Sequence, residues 1–177
     1  DRDAAAFLGS GVLTEGLDLE GERKALRYLR MAAEAGHTEA AVRLGWAVLE
    51  GRGGEPADCE AGLNWLEWAA NAGNAQGAAC TGFALALLKR FDEAMQWFER
   101  AAALGERTAH MGLAGIYGDG LAVPQDRARA LFHVYIANRA GCHDTDMAIA
   151  TLDSSMTQDE LARAYELLAE ERQPRGH

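Results

Sequence analysis

Few residues in this sequence are of a type and spacing suited to chemistry. The run Cys142-His143-Asp144-Thr145-Asp146 sets a thiol, an imidazole and two carboxylates side by side. These are the ligand types of a zinc-like cation. At most two of them could face one ion, though, and a structural site takes four. The competing reading is a polar connector after Gly141 that caps the next helix, and the shortfall in ligands favours it. Gly51-Arg52-Gly53-Gly54 is glycine-rich like a phosphate loop, but no Lys-Ser or Lys-Thr pair follows it. His37 and His110 stand near expected helix starts, with no acid–base partner in sequence. Nucleophile-elbow, HExxH and SxxK patterns are all missing. Nothing converges on covalent or acid–base work, so the expectation is no enzyme, no bound metal and no cofactor.

Composition narrows the partners. The formal charge is −10 over 177 residues, and no Lys/Arg cluster interrupts it. A phosphate backbone would be repelled, so nucleic acid is not an expected partner, and an anionic membrane surface is disfavoured for the same reason. No run of apolar residues is long enough to span a bilayer. Another protein or a peptide remains, with the chain itself expected to be a monomer. The chain opens on Asp1 rather than Met. Its native start is therefore expected to have been removed, and cytoplasmic and periplasmic locations both stay open. The preference for Ala and Arg over Lys fits a GC-rich bacterial source. Cys59, Cys80 and Cys142 form no CxxC pair. They read as free and mostly buried thiols, or as one disulfide and a leftover.

The elements that would position a site come from an internal repeat. One phrase recurs four times: Tyr28 to Gly36, Trp65 to Gly73, Trp97 to Gly105 and His133 to Gly141. Each carries a bulky ring followed one turn later by small residues, and ends on Gly. The terminal glycines are 37, 32 and 36 residues apart. A second phrase follows the first three glycines: Leu44-Gly45, Thr81-Gly82 and Leu113-Ala114, the small residue nine positions on each time. Leu8-Gly9 opens the array in the same way.

Ring and Ala a turn apart share one helical face, the ring filling space between helices and the Ala letting a neighbour close in. The closing Gly suits a helix end with positive φ. Each unit is then a pair of antiparallel helices. Helix A is expected over about 3–14, 39–50, 76–88 and 108–118, and helix B over about 22–35, 59–72, 91–104 and 126–140. Asp146 to Leu152 looks like the start of a fifth helix A. Thr157-Gln158-Asp159-Glu160 then reads as a capping box that opens a final helix with Leu161, Ala164, Tyr165 and Leu168 on its apolar face.

The expected fold is all-α: an α/α solenoid, a right-handed superhelix of about four helix–turn–helix repeats closed by a C-terminal capping helix. A single repeat domain covers 1–177, with repeats at about 3–36, 37–73, 74–105 and 106–141, a half-repeat and cap at 142–172, and a tail at 173–177.

This pattern resembles the Sel-like repeat, a branch of the tetratricopeptide superfamily, over about residues 3–145. Leu113, Tyr117, Gly120, Val123, Asp126, Ala130 and Gly141 carry the likeness best, followed by Leu44, Gly45, Gly51, Gly53, Trp65, Ala69, Ala70 and Gly73. The first repeat departs in a shorter loop at Glu15 to Asp18, the third lacks the loop, and the fourth has His133 in place of the Trp and Ala122 in place of a loop Gly.

The resemblance implies a scaffold or adaptor that binds a partner protein or peptide on a concave surface lined by helix A. In that register the outward positions are Arg43, Trp46 and Glu50 in the second repeat, Ala79, Cys80 and Phe83 in the third, and Met111 and Asp119 in the fourth. Trp46 and Phe83 fill the same slot, and aromatics and Arg dominate binding hot spots. Both rings could equally be interhelical core. Trp68 lies outside the repeated slots and reads as either exposed or wedged against a neighbour. The resemblance also allows an immunity protein that neutralises a secreted toxin. A β-lactam-processing enzyme is less expected, because those relatives pair cysteines within each repeat and this chain does not.

Overall fold

Nine α-helices and one short 3-10 turn make up the described part of the computed structural model, residues 18–142 and 145–172. The helices are α1 (Leu19–Glu34), α2 (Thr38–Leu49), α3 (Cys59–Asn71), α4 (Ala75–Leu87), α5 (Phe91–Ala103), α6 (Ala109–Asp119), α7 (Arg127–Arg139), α8 (Thr145–Ser155) and α9 (Gln158–Arg172). The 3-10 turn, Arg52–Gly54, lies between α2 and α3. The expected first helix at 3–14, the Leu8-Gly9 pair, His143, Asp144 and the tail at 173–177 lie outside the described residues.

Side chains at the ends fix where the helices start and stop. Asp18, Asp58, Asn74 and Asp126 each accept a hydrogen bond from the amide three residues on, at Gly21, Ala61, Gly77 and Arg129. One of the orphan donors at each N-terminus is thereby satisfied. The capping box at Thr157 forms as expected, with the Glu160 carboxylate accepting from the Thr157 amide at 2.8 Å.

The C-terminal ends of α1, α3, α5 and α7 repeat one motif. The Gly after each adopts positive φ, between 82° and 96°. The next residue's amide reaches back to a buried helix carbonyl: His37 to Ala32, Asn74 to Ala69, Glu106 to Ala101 and Cys142 to Ala137. This is the Schellman arrangement, and it needs a residue at ease in the left-handed region.

The core differs from the expectation in one respect. The rings of Tyr28, Trp65, Trp97 and His133 are only half-buried, and the residue after each is the one sealed inside: Leu29, Leu66, Phe98 and Val134. Ala32, Ala69, Ala101 and Ala137 sit beside them with essentially no exposure. Each large sealed side chain contributes about 1.5–3 kcal/mol. The rings instead straddle the boundary between core and solvent, which suits side chains that carry a polar edge.

The chain divides into two compact units, Asp1–Leu88 and Lys89–His177. In the first, α2 packs against α1 and α3, and α3 against α4. The 51–54 loop folds onto α1, where the Glu22 carboxylate receives Arg52 at 2.7 Å and the Gly53 amide at 3.0 Å. Arg23 Nε donates to the Gly53 carbonyl at 3.0 Å. In the second unit, α6 packs against α5 and α7, and both α8 and α9 pack against α7. There Ala128, Leu131 and Ala164 form a sealed cluster with Leu152 and Leu161 against it. Tyr165, expected on the apolar face of α9, is half exposed because it sits at the edge of that contact and meets Tyr135 hydroxyl to hydroxyl at 3.4 Å.

Candidate functional site

In the first unit, α2 and α4 are the helix A elements of successive repeats. Their equivalent positions come together in a hollow of about 300 Å³. Along α2, Glu39, Arg43, Trp46 and Glu50 fall at spacings of three and four, one stripe of a helix. From α4, Gln76 and Cys80 stand at the same repeat positions as Glu39 and Arg43. Val42 and Ala47, both sealed, make the floor, and Arg52 closes one end.

Four of the residues singled out by register therefore line one concavity: Arg43, Trp46, Glu50 and Cys80. Arg43 and Glu50 are exposed, whereas Trp46 and Cys80 are half-buried. Phe83 is half-buried on α4 and does not line the hollow. Ala79, expected to face outward, is sealed in the core at 1% exposure. It lies one position before Cys80, so a rotation of about 100° along the helix takes it inward. Met111 and Asp119 belong to the second unit, Met111 half-buried in α6 and Asp119 exposed in its last turn.

Charge in the hollow is balanced and locally paired. Arg43 Nε meets Glu39 at 3.2 Å across one helical turn. Arg52 holds Glu22, and the Arg52 hydrogen bond, followed by that from the Gly53 amide, keeps the Glu22 carboxyl below the usual carboxylate range. The hollow thus has an apolar floor and a Trp edge, ringed by two arginines and two glutamates. Among the described residues, no group of three His, Cys, Asp or Glu side chains could hold a metal ion.

Glu39, Gln76 and Arg52 line the hollow without having been singled out in sequence. The signal was present in the offset of 37 residues between the first two repeat glycines, which pairs Glu39 with Gln76.

The cysteines correct the sequence reading in part. None of the three is bridged in a disulfide, but Cys59 is exposed and Cys80 and Cys142 are half-buried. Cys59 opens α3 on its solvent side, so nothing covers it. Trp68 is 40% exposed, its ring meeting Trp65 edge-on at 6.4 Å between centroids.

A second contact was invisible in sequence. His110 of α6 and His133 of α7 bring their Nδ1 atoms to 2.9 Å. His133 also stacks on Tyr117, at 5.6 Å between centroids and 8° between planes. Burial first, then His110 and Arg129, push His133 down to about 3. Burial lowers His110 as well, against an opposing pull from Glu171.

Comparison with known proteins agrees with the fold. The model of the Sel1 repeat matches residues 2–37, 38–74, 85–106 and 108–142. The chain is similar in fold to a Sel1 repeat protein from Oxalobacter formigenes, with TM-score 0.74 and 21% identity, over all of this chain and 73% of that one. It is also similar to a protective antigen of uropathogenic Escherichia coli strains that displays an SLR fold. There the TM-score is 0.53 and the identity 19%, and this chain spans half the length of the antigen. No curated protein matches the sequence significantly. The fold is an all-α helical repeat solenoid, and no helix among the described residues is long and apolar enough to cross a membrane. Sel1 repeat proteins generally act as scaffolds for protein–protein interaction. With four matched repeats spread over most of its length, this chain belongs to the Sel1 repeat family.

Proposed function

We propose that this chain is a non-catalytic adaptor that binds a partner protein or peptide on the helix A face of its first unit. The observation that carries the reading is the hollow between α2 and α4, where Arg43, Trp46, Glu50 and Cys80 converge over an apolar floor. Arg and Trp are the types that most often supply binding energy, and a half-buried ring with one free edge can gain contact area without being uprooted. That none of Cys59, Cys80 and Cys142 is bridged in a disulfide counts against a cysteine-paired, β-lactam-processing protein.

The test is affinity capture of native partners by the tagged chain, read by mass spectrometry, beside the variants Arg43→Glu and Glu50→Lys. Both residues are exposed, so folding should survive. Loss of one stoichiometric partner, at least about tenfold weaker for Arg43→Glu, is the expected result. Turnover of a small substrate that disappears on point mutation would overturn the reading. So would a partner retained in full by both variants.

A further inference from the structure

A second concavity of the first unit, about 650 Å³, opens on a different face of α2 from the hollow above. It runs between α1 and α3, the helix B elements of two successive repeats, with α2 beneath. Leu44, Ala47 and Val48 form the floor, joined by Leu26 from one wall and the half-buried Trp65 from the other. The 51–54 loop closes one end.

The α1 wall is a ridge of arginines, which corrects the expectation of no Lys/Arg cluster: spacings of four and three gather on one helical face residues that are not adjacent in sequence. Arg23, Arg27 and Arg30 follow one another at spacings of four and three, and all three are exposed. Arg23 is oriented by the bond from its Nε to the Gly53 carbonyl, which leaves the rest of its guanidinium for another acceptor. Arg27 is held only loosely by Glu20, at 3.7 Å with both side chains more than 70% exposed. Arg30 forms no ion pair among the described residues. Three carboxylates also border the groove: Glu20, Glu55 and Asp58. Asp58 already caps α3. A cationic ridge facing an apolar floor is an unusual feature on a chain of net charge −10.

We infer that the groove between α1 and α3 docks an extended acidic segment of a partner protein, with two carboxylates on the arginine ridge and an apolar side chain between them on the floor. Spacing supports this. Arg23 and Arg30 are two helical turns apart, about 10 Å at 1.5 Å per residue. In a polyproline-type extended segment, residues three apart lie on one face at about 9 Å. Carboxylates at i and i+3 would therefore meet both ends of the ridge, each held by charge-assisted bonds to a guanidinium. A polyphosphate chain fits less well, because Glu20, Glu55 and Asp58 stand at the rim and the whole-chain field repels a dense polyanion.

The probe is the hexapeptide Pro-Glu-Leu-Pro-Glu-Pro-amide carrying fluorescein on its N-terminus, titrated with the whole chain by fluorescence anisotropy. Saturable binding is expected, weakening several-fold as salt rises from about 0.05 to 0.3 M. Arg30→Glu should weaken it by about tenfold, the scale of one lost charge-assisted bond, and Arg27→Glu, which sets a like charge between the two bound carboxylates, should weaken it to a similar degree. A probe with Lys in place of both Glu should not bind. Arg43→Glu, on the other face of α2, should leave peptide binding intact, so this groove and the helix A hollow fail or succeed separately. Absence of saturable binding at millimolar protein would overturn the inference, as would affinity indifferent to Arg27→Glu and Arg30→Glu. Tighter competition by a short oligonucleotide would replace it with phosphate recognition.

Discussion

Gly45 of α2 and Gly62 of α3 face each other where the two helices cross. A Cβ on Gly45 would lie 2.9 Å from the Gly62 carbonyl oxygen, and one on Gly62 would lie 2.7 Å from that of Gly45. Real Cβ atoms do not approach so closely, so the crossing exists only because both positions lack a side chain. Gly45→Ala and Gly62→Ala are each expected to destabilise the chain by about 1–3 kcal/mol. The second should cost more. At Gly62 the new methyl meets two backbone atoms, whereas at Gly45 two of its three nearest neighbours belong to the movable Leu66 side chain. Urea midpoints of the two variants check the order. Gly115 is the control: a Cβ there meets nothing within 4 Å. Gly115→Ala, inside α6, should stabilise by about 0.5–1 kcal/mol.

The histidine contact makes stability depend on pH. His133 ordinarily titrates near 6.5 and is pushed down to about 3 in the fold. Below pH 6.5 the unfolded chain therefore binds the proton that the folded chain refuses. Stability present above that pH is lost as pH falls toward 3, with a loss on the order of 2 kcal/mol by about pH 5. His133→Phe keeps a flat ring against Tyr117 and removes the titration. Urea melts at pH 7 and pH 5 should show the wild type losing more than the variant. Equal losses would mean that His133 takes up its proton without disturbing the pair.

Glu22 fastens the 51–54 loop to α1 through Arg52 and the Gly53 amide. Glu22→Ala should speed hydrogen exchange at the Gly53 amide and leave the helix α4 amides unchanged. Unaltered exchange at Gly53 would show that Arg23 holds the loop by itself.

Lys89 has φ of 60°, the one positive value outside glycine among the described residues. A side chain in that region costs about 1–2 kcal/mol, part of which glycine gives back as chain entropy. Lys89→Gly is expected to raise stability by about 0.5–1 kcal/mol, read as a higher thermal midpoint. A lower midpoint would show that the Lys side chain compensates through a contact of its own.

Local physics was the readable part of the sequence. A Gly with positive φ after Ala32-Ala33, Ala69-Ala70 or Ala101-Ala102 requires only its own helix end, so the repeat could be drawn without knowing any neighbour. What the sequence concealed depends on partners far along the chain. Gly62 carries no mark of its importance until α2 is laid across it. Nothing near His110 announces His133, which is 23 residues away. The half-burial of Trp65 and Trp97 went unread because the turn-spaced ring and Ala were assigned to one face, while the residue after each ring points more squarely inward. Four helix A residues met in one hollow because repeat register carries over from α2 to α4. Phe83 did not join them, since equal register fixes the helical face but not how far along the groove a ring reaches.

Arg52 and Ala47 line both concavities of the first unit, the hollow beside α4 and the groove beside α1. These two residues are wall to both, and the charged one is tethered to Glu22. A ligand in either concavity that drew Arg52 off that tether would reshape the other concavity. Two ligands bound that way would, by linkage, alter each other's affinity by the same factor.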